Sequence, residues 1–220
     1  MRTGYSVALR TGRSVDIVEL TQGEMIQALR GAGSRVGGAG AMEAQTTGLR
    51  LAVRAVTDAE GKATPLSFDA LQGRGWDRVF STAETIALIR AFDTVHAPPE
   101  GAADAALSGA VVSDADAVVT LPSGRKVTLA ILPWSGVQSS LAAGDKETAP
   151  LASAAVSELD GVRRSVTAID GEPVDAKTWS ATGWIERWPF SVAETAVLTA
   201  VWKDLHGLGG DAGPTVVARP

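Results

Sequence analysis

Phe80-Ser81-Thr82-Ala83-Glu84-Thr85 recurs as Phe190-Ser191-Val192-Ala193-Glu194-Thr195. In both places Ser-x-x-Glu stands directly before apolar residues at helical spacing. The hydroxyl can accept from the N–H three residues on while the carboxylate reaches back to the N–H of the serine, a reciprocal capping box. Ser81 with Glu84, and Ser191 with Glu194, are therefore read as structural helix caps. The match runs on through both helices: Leu88 lies over Leu198, Phe92 over Trp202, Val95 over Leu205 and His96 over His206.

A second block repeats independently. Val7-Ala8-Leu9-Arg10-Thr11-Gly12-Arg13-Ser14-Val15-Asp16-Ile17 lies without a gap over Val119-Thr120-Leu121-Pro122-Ser123-Gly124-Arg125-Lys126-Val127-Thr128-Leu129. A shift of 112 residues superposes this block and a shift of 110 the capping block. Such a period is too long for a solenoid and predicts two small homologous domains in tandem. The fold class expected is α+β, each domain a β-hairpin followed by a helical bundle. The first covers residues 1–97 and the second 117–208.

Within the first, β-formers flank the Gly12 turn, and Thr21-x-x-Glu24 starts a helix through Met25, Ile26 and Leu29. A Gly-rich connection over 31–40 follows, then a helix over 42–56 carrying Leu49, Val53 and Val56 on one side. Ser81 to His96 closes the unit. Residues 98–116, beginning Pro98-Pro99, have linker composition, with Ala-rich stretches that suit a helix. The second unit replays the plan, with a helix opening at Pro133-Trp134-Ser135 and a long helix over 151–166. Gly207 ends the last helix, and 209–220 is expected to be a flexible tail.

Composition narrows the function. With 45% hydrophobic and 20% charged residues the chain is ordinary globular material. A net charge of −5, with Lys and Arg scattered, argues against nucleic acid. No cysteine occurs, which removes disulfides, thiolate metal sites and cysteine nucleophiles. No apolar run approaches the roughly 18 residues that span a bilayer, so a soluble protein without a membrane partner is expected.

His96 and His206 could be metal ligands, yet neither has a second ligand at metal spacing, and a helix C-terminus favours histidine by its dipole. Glu84 and Glu194 have the carboxylate a general acid or base needs, but stand where a cap requires them. Arg13 and Arg125 follow the hairpin glycine, where a guanidinium could meet a partner's carboxylate. Trp134, Trp179, Trp184, Trp188 and Trp202 crowd the second unit. Trp134, Trp184 and Trp188 are candidates for a partner-binding surface. No catalytic residue, metal or cofactor is indicated, and a non-enzyme is expected.

The order of hairpin, helical body, Ile169-Asp170-Gly171-Glu172-Pro173 and Phe190-Ser191-Val192-Ala193-Glu194 resembles small tail and baseplate assembly proteins of contractile-tailed bacteriophages, their tail assembly chaperones and baseplate hub assembly proteins. The likeness is clearest over 117–207. It implies a non-catalytic assembly factor in the bacterial host cytoplasm that binds a tail, hub or tape-measure component, with self-association compatible. The alternative is a permanent structural part of the virion baseplate or tail, with an uncharacterised enzyme as a distant third. Duplicated modules suit either, because two weak contacts on one chain gain effective concentration.

Overall fold

The computed structural model describes residues 3–175, 179 and 183–208, and the tail expected over 209–220 lies outside them. By its internal contacts the chain divides into two compact units. One is made of residues 1–97, 146–155 and 183–192, and the other of 98–145, 156–182 and 193–220. Mixed α and β is the observed class, with two antiparallel sheets and, among the described residues, eight α-helices.

The first unit opens with β1 (Gly4–Ala8) and β2 (Ser14–Val18), joined by a tight turn in which Gly12 takes a left-handed φ of 80°. Two helices follow, α1 (Gln22–Gly31) and α2 (Gly37–Ala52), before β3 (Val53–Thr57) and β4 (Ala63–Pro65) complete a sheet in the order β1-β2-β3-β4. A short α3 (Gly75–Val79) leads into α4 (Thr82–His96). Strand alternation sets the core: Val15 and Ile17 are fully buried, while Asp16 between them is exposed. Against them pack Leu49, Val53, Leu71, Trp76, Leu88 and Phe92.

The second unit begins with α5 (Ala102–Ser108) and β5 (Val111–Val112). It continues with β6 (Asp116–Thr120), β7 (Lys126–Ala130) and α6 (Trp134–Leu141), then α7 (Pro150–Ser165), of which 150–155 count with the first unit, β8 (Val166–Ile169), β9 (Glu172–Pro173) and α8 (Val192–Leu205), which belongs here from residue 193 on. Its sheet runs β5-β6-β7-β8-β9. Val119, Val127, Leu129, Leu198, Val201 and Trp202 are buried in its core.

Three expectations change. Each hairpin is only part of a sheet, because the stretch after the long helix pairs with the hairpin's second strand instead of extending the helix. Val53 and Val56 lie in β3, not on a helix, and Val166 opens β8. Both segments are rich in β-branched residues, whose χ1 is cramped in a helix and relaxed on a pleated surface. The pairing also bulges in each unit. Val15 faces Val56 and Asp16 faces Ala55, but Ile17 faces Val53, skipping Arg54; Leu129 likewise faces Val166, skipping Thr167. Second, residues 98–116 are not a plain linker, since the Ala-rich part forms α5 and Val111–Val112 joins the sheet. Third, α2 takes in the end of the Gly-rich stretch, starting at Gly37.

Candidate functional site

The repeated polar residues converge in each unit, and they converge on one another. In the first unit the capping box forms as expected. Glu84 N–H donates to Ser81 Oγ at 3.3 Å, and Glu84 Oε2 accepts from Ser81 N–H at 2.9 Å. The same carboxylate reaches beyond its helix. Its Oε1 accepts from Thr11 Oγ1 at 2.8 Å and from Arg13 Nη1 at 3.1 Å. Arg13 also donates to the Val79 carbonyl from both terminal nitrogens and lies over the Phe80 ring, 5.7 Å from its centroid. Glu84 is 6% exposed. Burial pushes its carboxyl up, but the Ser81 N–H, the Thr11 and Ser81 hydroxyls and the Arg13 charge together hold it below the usual carboxylate range.

In the second unit Ser123 Oγ donates to Glu194 Oε1 at 2.5 Å, and Arg125 Nη1 stands 3.7 Å from Glu194 Oε2. Arg125 Nε is also 3.8 Å from Asp170 Oδ2. Ser191 immediately precedes α8 and Glu194 is its third residue. Arg13 and Arg125, the candidates for a partner's carboxylate, meet carboxylates of their own unit. Each clamps the hairpin tip to the start of the last helix.

Both histidines are used at both ring nitrogens. His96 Nδ1 lies 2.8 Å from the Phe92 carbonyl, and His206 Nδ1 lies 2.7 Å from that of Trp202. A carbonyl can only accept, so Nδ1 carries the proton and Nε2 presents a lone pair. That lone pair accepts the Leu20 N–H in one unit and the Leu132 N–H in the other, each at 2.9 Å. Leu20 directly precedes Thr21, the N-cap of α1, and Leu132 precedes Pro133, the N-cap of α6. Each ring therefore ties the end of the last helix to the strand-to-helix junction. Burial depresses the His96 pKa below 6.5, partly offset by the Phe92 carbonyl and the nearby Glu19 and Asp93. Among the described residues no three His, Asp or Glu side chains gather to hold a metal ion.

A third repeated contact is made by matched glycines: the register that lays Arg50 over Arg163 and Ala55 over Ala168 also lays Gly48 over Gly161. Gly48 of α2 is packed on the Phe92 ring, and Gly161 of α7 on the Trp202 indole. Phe92 and Trp202 match in the repeat as well, but spacing alone does not bring ring and glycine together.

The tryptophans separate. Trp202 is fully buried. Trp184 and Trp188 are half-buried and meet edge to face, with Trp188 in turn against the buried Phe190. The Trp179 carbonyl accepts from Arg163. Trp134, at the first position of α6, stands 62% exposed, and Leu141, two turns on, 44%. In the first unit a groove of about 760 Å³ is lined by Met42, Ile86, Ile89, Phe80 and Arg50 among others, and Met42 and Ile86 are exposed. Among the described residues no helix is long and apolar enough to cross a membrane. No protein-family model, curated protein or solved structure matches the chain.

Proposed function

We propose that the chain is a tandem duplication of one α+β unit and works as a non-catalytic assembly protein of a bacteriophage tail or baseplate. In this reading it binds a tail, hub or tape-measure component in the host cytoplasm. The observation that carries the reading is the fate of the repeated polar residues. In both units the Arg, Glu and His that could have supplied chemistry are engaged with their own fold through matching contacts to the last helix. Large apolar side chains, Trp134, Leu141, Met42 and Ile86, remain at the surface, where they suit a protein partner. Duplication is supported by the shared strand order, the bulge one residue before Ala55 and before Ala168, and the matched histidine bonds.

The test is fractionation of a producing culture. An assembly factor co-purifies with a tail component from the lysate and is missing from purified particles. Fixed copy number in the particle would make it a structural part of the virion instead. Recovery with neither tail components nor particles would refute both.

A further inference from the structure

The two sheets differ at one edge. In the second unit the outer side of β6 is covered by β5: Val111 pairs with Val118, Val112 with Ala117, and Ser113 N–H donates to the Asp116 carbonyl. In the first unit β1 holds the corresponding place, before the same hairpin turn, and no described residue pairs with its outer side. The other sheet ends are short or blunted. β4 has three residues and ends at Pro65, β9 has two and ends at Pro173, and β5 has two. By contrast β1 is five residues long, Gly4-Tyr5-Ser6-Val7-Ala8, with no charge and no proline.

Hydrogen-bond alternation says which groups face outward. Leu9 N–H donates to the Arg13 carbonyl and Glu19 N–H to that of Thr3, so residues 3, 5, 7 and 9 bond inward to β2. The N–H and C=O groups of Gly4, Ser6 and Ala8 therefore point away from the sheet. We infer that this edge is a self-association surface: β1 pairs antiparallel with β1 of a second copy of this chain, Ser6 opposite Ser6.

The strand is self-complementary in that register. Gly4 falls opposite Ala8, Ser6 opposite Ser6 and Ala8 opposite Gly4, which matches every outward donor to an outward acceptor in about six main-chain bonds. All three residues are small and exposed, so two backbones can approach without side-chain obstruction. On the other face Tyr5 comes opposite Val7 twice. Val7 already packs on the core and Tyr5 is 39% exposed, so each gains an aromatic–β-branched cross-strand partner. The contact is isologous and closes at two copies.

Sedimentation velocity over a concentration series tests this, on the full chain with circular dichroism as the folding control. Wild type is expected to dimerise. Ser6→Lys sets like charges face to face across the two-fold, and should weaken the dimer about tenfold or more without changing the spectrum. Ser6→Asp should do the same, and an equimolar mixture of the two variants should dimerise again, which only a contact of Ser6 with itself explains. Amide exchange needs no variant: Gly4, Ser6 and Ala8 should be protected at high concentration and exposed on dilution. Wild type that stays monomeric at every concentration, or a dimer indifferent to both charges, would overturn the inference. So would protection of those amides appearing only on addition of a different protein.

Discussion

Gly161→Ala tests the packing of the last helix most directly. Gly161 lies inside α7, where alanine is favoured over glycine by about 1 kcal/mol through helix propensity and a less free unfolded chain. A methyl group there would collide with the Trp202 benzo ring, closer than van der Waals distance to Cζ2, at 2.6 Å from Cε2 and 2.7 Å from Cη2. Ordinary contact begins near 3.4 Å, so the indole must shift by roughly 1 Å in a close-packed interior. Trp202 is fully buried, so the shift displaces its neighbours as well. Overpacking of this kind costs about 1–3 kcal/mol, and three colliding ring atoms place it at or above the upper end. Sterics win, with a net loss of about 2 kcal/mol. Urea unfolding followed by circular dichroism measures it, with Gly38→Ala as control. Gly38 also lies in a helix, but a Cβ there meets nothing within 4 Å, so that change should be neutral or stabilising. Shortening the ring in Gly161→Ala/Trp202→Phe should recover part of the loss, a coupling of about 1 kcal/mol. A Gly161→Ala protein as stable as wild type would refute the close approach.

Other perturbations separate the remaining contacts. The folded chain resists protonating His96, so between pH 6.5 and its lower folded pKa the unfolded chain binds more protons. Stability should be complete above 6.5 and fall as pH drops through that window, and His96→Gln should flatten this part of a urea-midpoint series against pH. Glu84→Gln removes the charge that holds Arg13 and keeps the amide in place. We expect a loss of about 1–3 kcal/mol at pH 7, shrinking as pH falls through the depressed Glu84 pKa, measured by the same unfolding assay. His206→Ala strands the Leu132 N–H and should cost about 1–3 kcal/mol of unfolding free energy. Trp134→Ala should change stability by less than about 0.5 kcal/mol yet reduce recovery of the tail component in pull-down; unchanged recovery would remove that side chain from the binding surface.

The sequence was most legible where a contact is local. Thr21 with Glu24 and Ser81 with Glu84 close their capping boxes within one turn, so residue type and spacing specify the interaction completely. Strand β3 is ambiguous in the sequence because Leu49, Val53 and Val56 fit a helical stripe as well as a helix followed by a strand; only pairing with Val15 and Ile17, about 40 residues away, decides between them. The histidines were visible as repeat-equivalent positions at a helix end, but the bonds that explain them join residues 76 and 74 apart. Nor could spacing show that Arg13 would be taken up by Glu84, 71 residues on.

These long-range contacts have a common address. The last helix of each unit touches three separate segments at three levels. Its glutamate holds the hairpin tip, its central aromatic fills the space left by a glycine in the long helix, and its histidine holds the junction before α1 or α6. Altering any one level loosens the fastening of a different segment. What each contact asks of the partner segment is small: a hydroxyl, as in Thr11 and Ser123, a missing side chain, as in Gly48 and Gly161, or a main-chain N–H, as in Leu20 and Leu132. Each last helix carries Glu, an aromatic and His at the same spacing. Identity between the two stretches is therefore shared by both sides of these contacts: Glu and His on the helix, Gly-Arg at the hairpin tip and the glycine of the long helix.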